Sequence, residues 1–161
     1  MGGVMKRLIF LTVVLLAMLF TVPLSAKQEI ADPETVKVEA AKAFERILDL
    51  WREGSYGELY DRTLVSGKDT KESFTRRMSA ARLKPSCCWE KMQDVSVMAK
   101  SPTSVVIRAK IGLDAPGEIE YKTKPFKLIK EFGEWRISRS DILSLAEADS
   151  SKKSRKHKVK Y

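Results

Sequence analysis

The spacing at which hydrophobic residues recur changes once along the chain, and this change restricts the fold more than any other feature. Between residues 34 and 82, apolar side chains recur at three- and four-residue spacing, as on one face of an α-helix. From about residue 92 to residue 137, apolar and polar side chains alternate, as on a half-buried strand. Helices followed by strands are typical of an α+β domain. We therefore predict N-terminal helices packed on one face of a curved, mostly antiparallel four-stranded sheet.

The helical part divides into three segments. The longest is predicted over residues 34–53, where Asp32 can cap the first turn and Gly54 can end the last one. Shorter helices are predicted over 56–61 and 70–82, the latter with Asp69 as the cap. Turn residues at 101–104, 114–117 and 132–134 then separate the four predicted strands, which follow one another at hairpin spacing.

The first 26 residues have the three parts of a secretory signal. Lys6 and Arg7 precede an almost wholly apolar stretch over 8–20, and small residues lead up to Ala26. We expect cleavage after Ala26 and export to the periplasm or the medium of a bacterium. The alternative is an uncleaved leader that anchors the protein in the membrane. Residues 27–149 are long enough for one domain with a core of its own.

The positive charge lies at the ends of the chain. Of the formal net charge of +9, the leader carries +2 and residues 150–161 carry +6, which leaves +1 for residues 27–149. This basic tail shows no regular spacing of apolar residues, and we predict that it is disordered. Its cations suit an anionic membrane or an acidic envelope polymer rather than nucleic acid, since we expect the protein to be exported. A solubilising tail without a partner is the alternative. The cations are Lys152, Lys153, Arg155, Lys156, Lys158 and Lys160.

Two adjacent cysteines, Cys87 and Cys88, are the other unusual feature. Neighbouring side chains on a strand point to opposite faces, so we expect one buried thiol and one exposed thiol. A redox-labile disulfide between them, or a bridge from the exposed thiol to another molecule, remains open. Their spacing and the absence of a nearby histidine do not suit a metal, and no cofactor is predicted.

Two short motifs resemble the nuclear-transport-factor-2-like superfamily, also called cystatin-like or polyketide-cyclase-like. They are LWREGSYGELY at 50–60 and LIKEFGEWRI at 128–137, and the likeness to small exported bacterial members extends over about residues 34–140. The resemblance implies a cone whose sheet wraps around the helices and leaves a pocket at the wide end. Some members of the superfamily are isomerases or dehydratases. Many bind ligands or proteins, and members often dimerise through the outer face of the sheet.

The resemblance also suggests which residues line a pocket. The single histidine, His157, lies in the tail, so a His–Asp dyad within the domain is excluded. We expect a non-catalytic binding domain for a small apolar ligand or a partner protein, with a homodimer possible. The alternative is an isomerase or dehydratase that uses Asp61 with Tyr56 or Tyr60. The candidate pocket residues are Trp51, Tyr56, Tyr60, Asp61, Tyr121 and Trp135.

Other side chains are expected to be structural. Trp89 is expected to anchor the core, as tryptophans commonly do. The charges at Glu118, Glu120 and Lys122 are expected to form a solvated strand face, with Tyr121 on the opposite face.

Overall fold

The computed structural model describes residues 32–64 and 69–147. The predicted leader and the predicted basic tail lie outside these residues. Within the described ranges, no helix combines the length and the apolar character needed to cross a membrane.

The long first helix confirms the prediction almost residue for residue. Helix α1 (Pro33–Glu53) begins where the Asp32 carboxylate accepts a hydrogen bond from the Thr35 backbone N–H at 3.2 Å. It ends at Gly54, whose φ of 81° is a left-handed conformation that glycine adopts without steric cost. Its apolar face is buried and consists of Val36, Ala40, Phe44, Ile47, Leu48, Leu50 and Trp51.

Two further helices follow α1. Helix α2 (Tyr56–Asp61) has the predicted bounds. Helix α3 (Lys71–Ser79) is shorter than predicted, and its cap is Thr70 rather than Asp69. The Thr70 hydroxyl accepts from the Ser73 backbone N–H, whereas the Asp69 carboxylate pairs with Arg77 at 3.0 Å. The helix ends early because the chain then extends to join the sheet.

The sheet contains the four predicted strands and two short ones. The long strands are β3 (Gln93–Ser101), β4 (Ser104–Ala115), β5 (Glu118–Glu131) and β6 (Glu134–Ser138), and the short ones are β1 (Thr63–Leu64) and β2 (Lys84–Pro85). Their order is β1-β6-β5-β4-β2, and β3 also pairs with β4. All pairings are antiparallel except that of β1 with β6. Two-residue strands are too short to show a period in the sequence.

The register between β4 and β5 separates two faces of the sheet. Val105 pairs with Leu128 and Ile107 with Phe126, and all four side chains are buried in the core with α1. The residues between them point the other way. We call this second side the outer face; on β4 it carries Val106, Arg108, Lys110 and Gly112, and on β5 it carries Lys127, Pro125, Thr123 and Tyr121.

Charged residues near the start of β5 lie on the inner face, which corrects the expectation of a solvated strand face. Glu120 pairs with the buried Leu113, and Lys122 pairs with the buried Ile111. Both are half-buried, and each pairs with a charged residue distant in the sequence, as does Lys124 with Asp141 of the C-terminal helix α4 (Arg139–Leu145). The ion pairs are Glu120–Arg82 at 2.8 Å, Lys122–Glu147 at 2.9 Å and Lys124–Asp141 at 2.8 Å.

Candidate functional site

The two tryptophans predicted for the pocket are core residues. Trp51 is completely buried and Trp135 is 5% exposed. The indole nitrogen of Trp51 has no hydrogen-bond partner among the described residues. Tyr56 is also buried. These three side chains fill the space between the helices and the sheet, so they pack the core instead of lining a cavity.

Tyr60 belongs to a structural cluster around a buried arginine. The Arg139 guanidinium lies 4.2 Å from the centre of the Tyr60 ring. It donates to the Thr63 hydroxyl at 3.2 Å and to the Asp69 carbonyl at 2.9 Å. The Tyr60 hydroxyl donates to the same carbonyl at 3.2 Å. The cluster ties α4 to the segments around α2 and α3, and no local sequence signal predicted it.

Asp61 and Tyr121 lie on the surface, apart from the other predicted residues. Asp61 is exposed and forms an ion pair of 2.7 Å with Lys71. Tyr121 is on the outer face, where the Lys110 ammonium lies 4.3 Å from its ring centre. The described residues therefore do not bring Asp61 into one cavity with Tyr56 or Tyr60. The arrangement that isomerase or dehydratase chemistry requires is not formed by these side chains.

A surface cavity of about 420 Å³ lies at the start of α1 and contains none of the six predicted residues. One of its carboxylates, that of Glu39, is ion-paired with Lys130 at 2.8 Å. The hydrogen bond and the charge of Lys130 hold the pKa of Glu39 below its ordinary value. The cavity is lined by Asp32, Glu34, Thr35, Val38, Glu39 and Lys42.

The two cysteines lie on an exposed segment, contrary to the expectation from the sequence. They form a disulfide with each other, and both are exposed, so the expectation of one buried thiol is wrong. Trp89 follows them and is 73% exposed, so it is not a core anchor. A 3₁₀ turn (Cys88–Glu90) interrupts the extended chain here, and the alternation rule for strands therefore does not apply. We call residues 86–91 the Cys-Trp loop.

Ser86 fixes the first end of the Cys-Trp loop. This residue is completely buried. Its backbone N–H donates to the Gly112 carbonyl at 2.9 Å, and its hydroxyl donates to the Asp114 carboxylate at 2.6 Å. The loop thus leaves the sheet from a rigid point on β4.

Lys91 fixes the other end against α1. Its ammonium lies 2.6 Å from the Asp49 carboxylate and 3.2 Å from that of Glu45, and its side chain is only 10% exposed. Burial by itself lowers the pKa of Lys91, but the hydrogen bonds and charges of Asp49 and Glu45 outweigh it, so the pKa is raised. The lysine therefore stays charged and holds the loop to the helix.

Gly112 allows the Cys-Trp loop to lie against the outer face. A Cβ atom at this position would be 2.3 Å from the Glu90 carbonyl oxygen and 3.3 Å from the Tyr121 ring. Only glycine leaves room for such an approach between two backbones. A glycine inside an otherwise regular strand is the sequence signal that could have revealed the loop.

The described residues contain no group of three or more histidine, cysteine, aspartate or glutamate side chains suited to a metal ion.

Comparisons with known proteins add little to this picture. No family model matches the chain, and no curated protein matches it significantly. Among solved structures, it is similar to Aln2 from a Streptomyces species, with 16% sequence identity and a TM-score of 0.46. The similarity covers 73% of this chain and 99% of Aln2. We draw no conclusion about function from a likeness of this degree.

Proposed function

We propose that this chain is an exported, non-catalytic binding domain of the bacterial envelope, and that the Cys-Trp loop is its contact element. The observation that carries the proposal is the exposure of Trp89, 73%, between the buried residues Ser86 and Lys91. The occupant is a partner protein or a small apolar ligand.

The energetics of binding favour such an arrangement. A tryptophan offers a large apolar area and loses little rotamer freedom, which is why it is common at energetic hot spots. Because Ser86 and Lys91 hold both ends of the loop, binding does not have to order the backbone. A contact residue that is already held in place loses less entropy when its partner arrives.

The leader supports the proposal of export, and the sequence motifs support a place in the nuclear-transport-factor-2-like superfamily. The motif at 50–60 forms the end of α1 and nearly all of α2. The motif at 128–137 forms the hairpin of β5 and β6. The order of helices and curved sheet is also the one the resemblance implies. We propose in addition that the basic tail keeps the domain near anionic surfaces.

A photo-crosslinking experiment in the producing bacterium tests the contact element. A photoreactive phenylalanine analogue replaces Trp89 in one strain and Phe132 in another. Phe132 is the matched control because it is an aromatic residue, 95% exposed, on the β5–β6 turn, whereas the loop lies near Tyr121 at the other end of β5. Native mass spectra of the wild-type protein and the Trp89→Ala variant, purified from the envelope, reveal a retained ligand.

The proposal expects a discrete adduct at position 89 and none at position 132, or a ligand mass that Trp89→Ala loses. Equal labelling at both positions, together with identical native masses, would overturn it. The same spectra locate the N-terminus of the mature chain and so test export separately.

A further inference from the structure

Three cations on the outer face have no acidic ion-pair partner among the residues that the structure describes. Arg108, Lys110 and Lys127 lie on β4 and β5, and none of their side chains forms an ion pair within the described residues. The inward lysines of β5 behave differently. Lys122 and Lys124 are each ion-paired. The outer face therefore carries three cations that no ion pair among the described residues neutralises.

The three cations are close together. Arg108 and Lys110 are two residues apart on one strand, about 7 Å, and Lys127 is diagonal to Arg108 on the next strand. Like charges at this spacing repel one another and reduce stability slightly. An anionic partner would relieve that repulsion.

Exposed apolar and aromatic side chains accompany these cations. Met98 on β3 pairs with Val106, so it is on the outer face, and it is 55% exposed. Tyr121 on the same face is 42% exposed, and it contacts the Lys110 ammonium. The Cys-Trp loop, which contains Trp89, approaches this face through the Glu90 backbone at Gly112, the pairing partner of Tyr121. Tryptophan and tyrosine beside lysine and arginine are typical of surfaces that lie at a membrane interface.

We propose that the outer face docks on a membrane surface rich in anionic lipid. The cations meet the headgroups, while Trp89, Met98 and Tyr121 enter the interfacial layer. This inference rests on the part of the proposed function that makes the Cys-Trp loop the contact element, and it names a lipid surface as the occupant in place of a partner protein or a small ligand. It also goes beyond the basic tail, because it assigns the folded domain a binding surface of its own.

Charge favours a lipid surface over a second copy of the chain. A two-fold interface through the outer face would bring each set of unpaired cations against its counterpart. Such like-charge contacts are costly. Two acidic residues near this face are already engaged: Asp114 accepts a hydrogen bond from Ser86, and Glu131 lies 3.9 Å from Arg136.

Vesicle sedimentation of the full chain tests the proposal. The vesicles consist of phosphatidylcholine alone or with about one third phosphatidylglycerol, and any leader, with its Lys6 and Arg7, is common to every variant compared. The outer-face variant carries Arg108→Gln, Lys110→Gln and Lys127→Gln. A second variant replaces the six basic tail residues by glutamine. The matched control removes the same charge from exposed helical positions as Lys42→Gln, Arg52→Gln and Arg76→Gln.

Each cation at an anionic surface strengthens binding about fivefold, so the outer-face variant should bind anionic vesicles roughly 100-fold more weakly. The control triple, which lies on the helices, should stay within about twofold of the wild type. The difference in vesicle affinity between the wild type and the outer-face variant should become smaller in high salt. The three substituted side chains lie outside the core, and a circular-dichroism melt confirms that the variant is folded.

Tryptophan fluorescence tests contact with lipid without changing the charge of the protein. Trp51 and Trp135 are buried, so among the three tryptophans of the chain only Trp89 is accessible to lipid. Vesicles with brominated acyl chains should quench the wild-type emission, and Trp89→Phe should abolish that quenching.

Three outcomes would overturn the inference. The outer-face variant could bind anionic vesicles as the wild type does while the tail variant loses binding. The brominated lipid could leave Trp89 unquenched. Sedimentation velocity could show a wild-type dimer that the outer-face variant converts to monomer. A protein adduct at position 89 together with unquenched Trp89 on vesicles would leave the proposed function standing and remove only the lipid surface.

Discussion

Replacement of Lys91 by methionine should loosen the attachment of the Cys-Trp loop to α1. The lysine ammonium bridges two carboxylates one helical turn apart, Glu45 and Asp49. Methionine keeps the apolar stem that packs below the charge but removes the cation. Asp49 and Glu45 then face each other as like charges, with no partner on the loop.

The size of the effect follows from the burial of each group. A hydrogen bond between charged groups contributes about 1.5–3 kcal/mol, and the Asp49 contact, with the lysine 10% and the aspartate 30% exposed, belongs to this class. The Glu45 side chain is 51% exposed, so solvent reduces its contribution to less than about 1 kcal/mol. We expect Lys91→Met to lower the free energy of unfolding by about 2–3 kcal/mol. The melting temperature should fall by about 10 °C.

Urea unfolding across pH separates the charge effect from packing. Because the folded-state pKa of Lys91 is raised, its contribution is complete below the unfolded pKa of about 10.4 and is lost as the pH rises through the higher folded value. The difference in unfolding free energy between wild type and Lys91→Met should therefore be constant from neutral pH to about pH 10 and shrink above it.

Lys84→Met is the matched control, since Lys84 is exposed and lies on the neighbouring strand β2. It should change stability by no more than about 0.5 kcal/mol. If Lys91→Met were as stable as this control, or if its deficit did not change above about pH 11, the account of the loop anchor would be refuted.

Three other results are expected. Gly112→Ala should destabilise the protein by about 1–3 kcal/mol in thermal melts, because the new Cβ meets the Glu90 backbone carbonyl and the loop has to move. Glu39→Gln should remove an acid-sensitive part of the stability. Lys130 lowers the pKa of Glu39, so Glu39 stabilises the fold above its unfolded pKa of about 4.3 and loses this effect as the pH falls through the lower folded pKa. Urea titrations between about pH 2 and 6 measure the loss. Intact-mass analysis of the envelope protein should give a chain that begins at Lys27; a chain that begins at Met1 contradicts cleavage.

The first helix shows how much local sequence can establish. Asp32 and Gly54 mark its two ends, and the spacing of its apolar residues predicted the buried face. The four long strands were also predicted, most clearly β4 and β5, where a two-residue alternation continues over many residues. In both cases the signal is contained within one element.

The candidate site was much harder to predict. Aromatic side chains suggested a pocket, yet Trp51 and Trp135 fill the core while Trp89 is exposed. All three are tryptophans in mixed sequence, and only their surroundings in the fold distinguish them. The Cys-Trp loop was missed because its contacts are remote: Ser86 is bound to Asp114, and Lys91 to α1.

The sequence by itself determined helices α1 and α2, the positions of the four long strands and the side-chain alternation along β4 and β5. Periodicity reports that one side of an element is buried, and this is a local property of the chain. The tertiary structure alone decided which charges would be neutralised. On β5, Lys122 and Lys127 are both lysines in alternating sequence, but Lys122 meets Glu147, whereas Lys127 on the outer face has no acidic partner among the described residues. Which partner a side chain meets depends on segments distant in sequence, and no period within a strand contains that information.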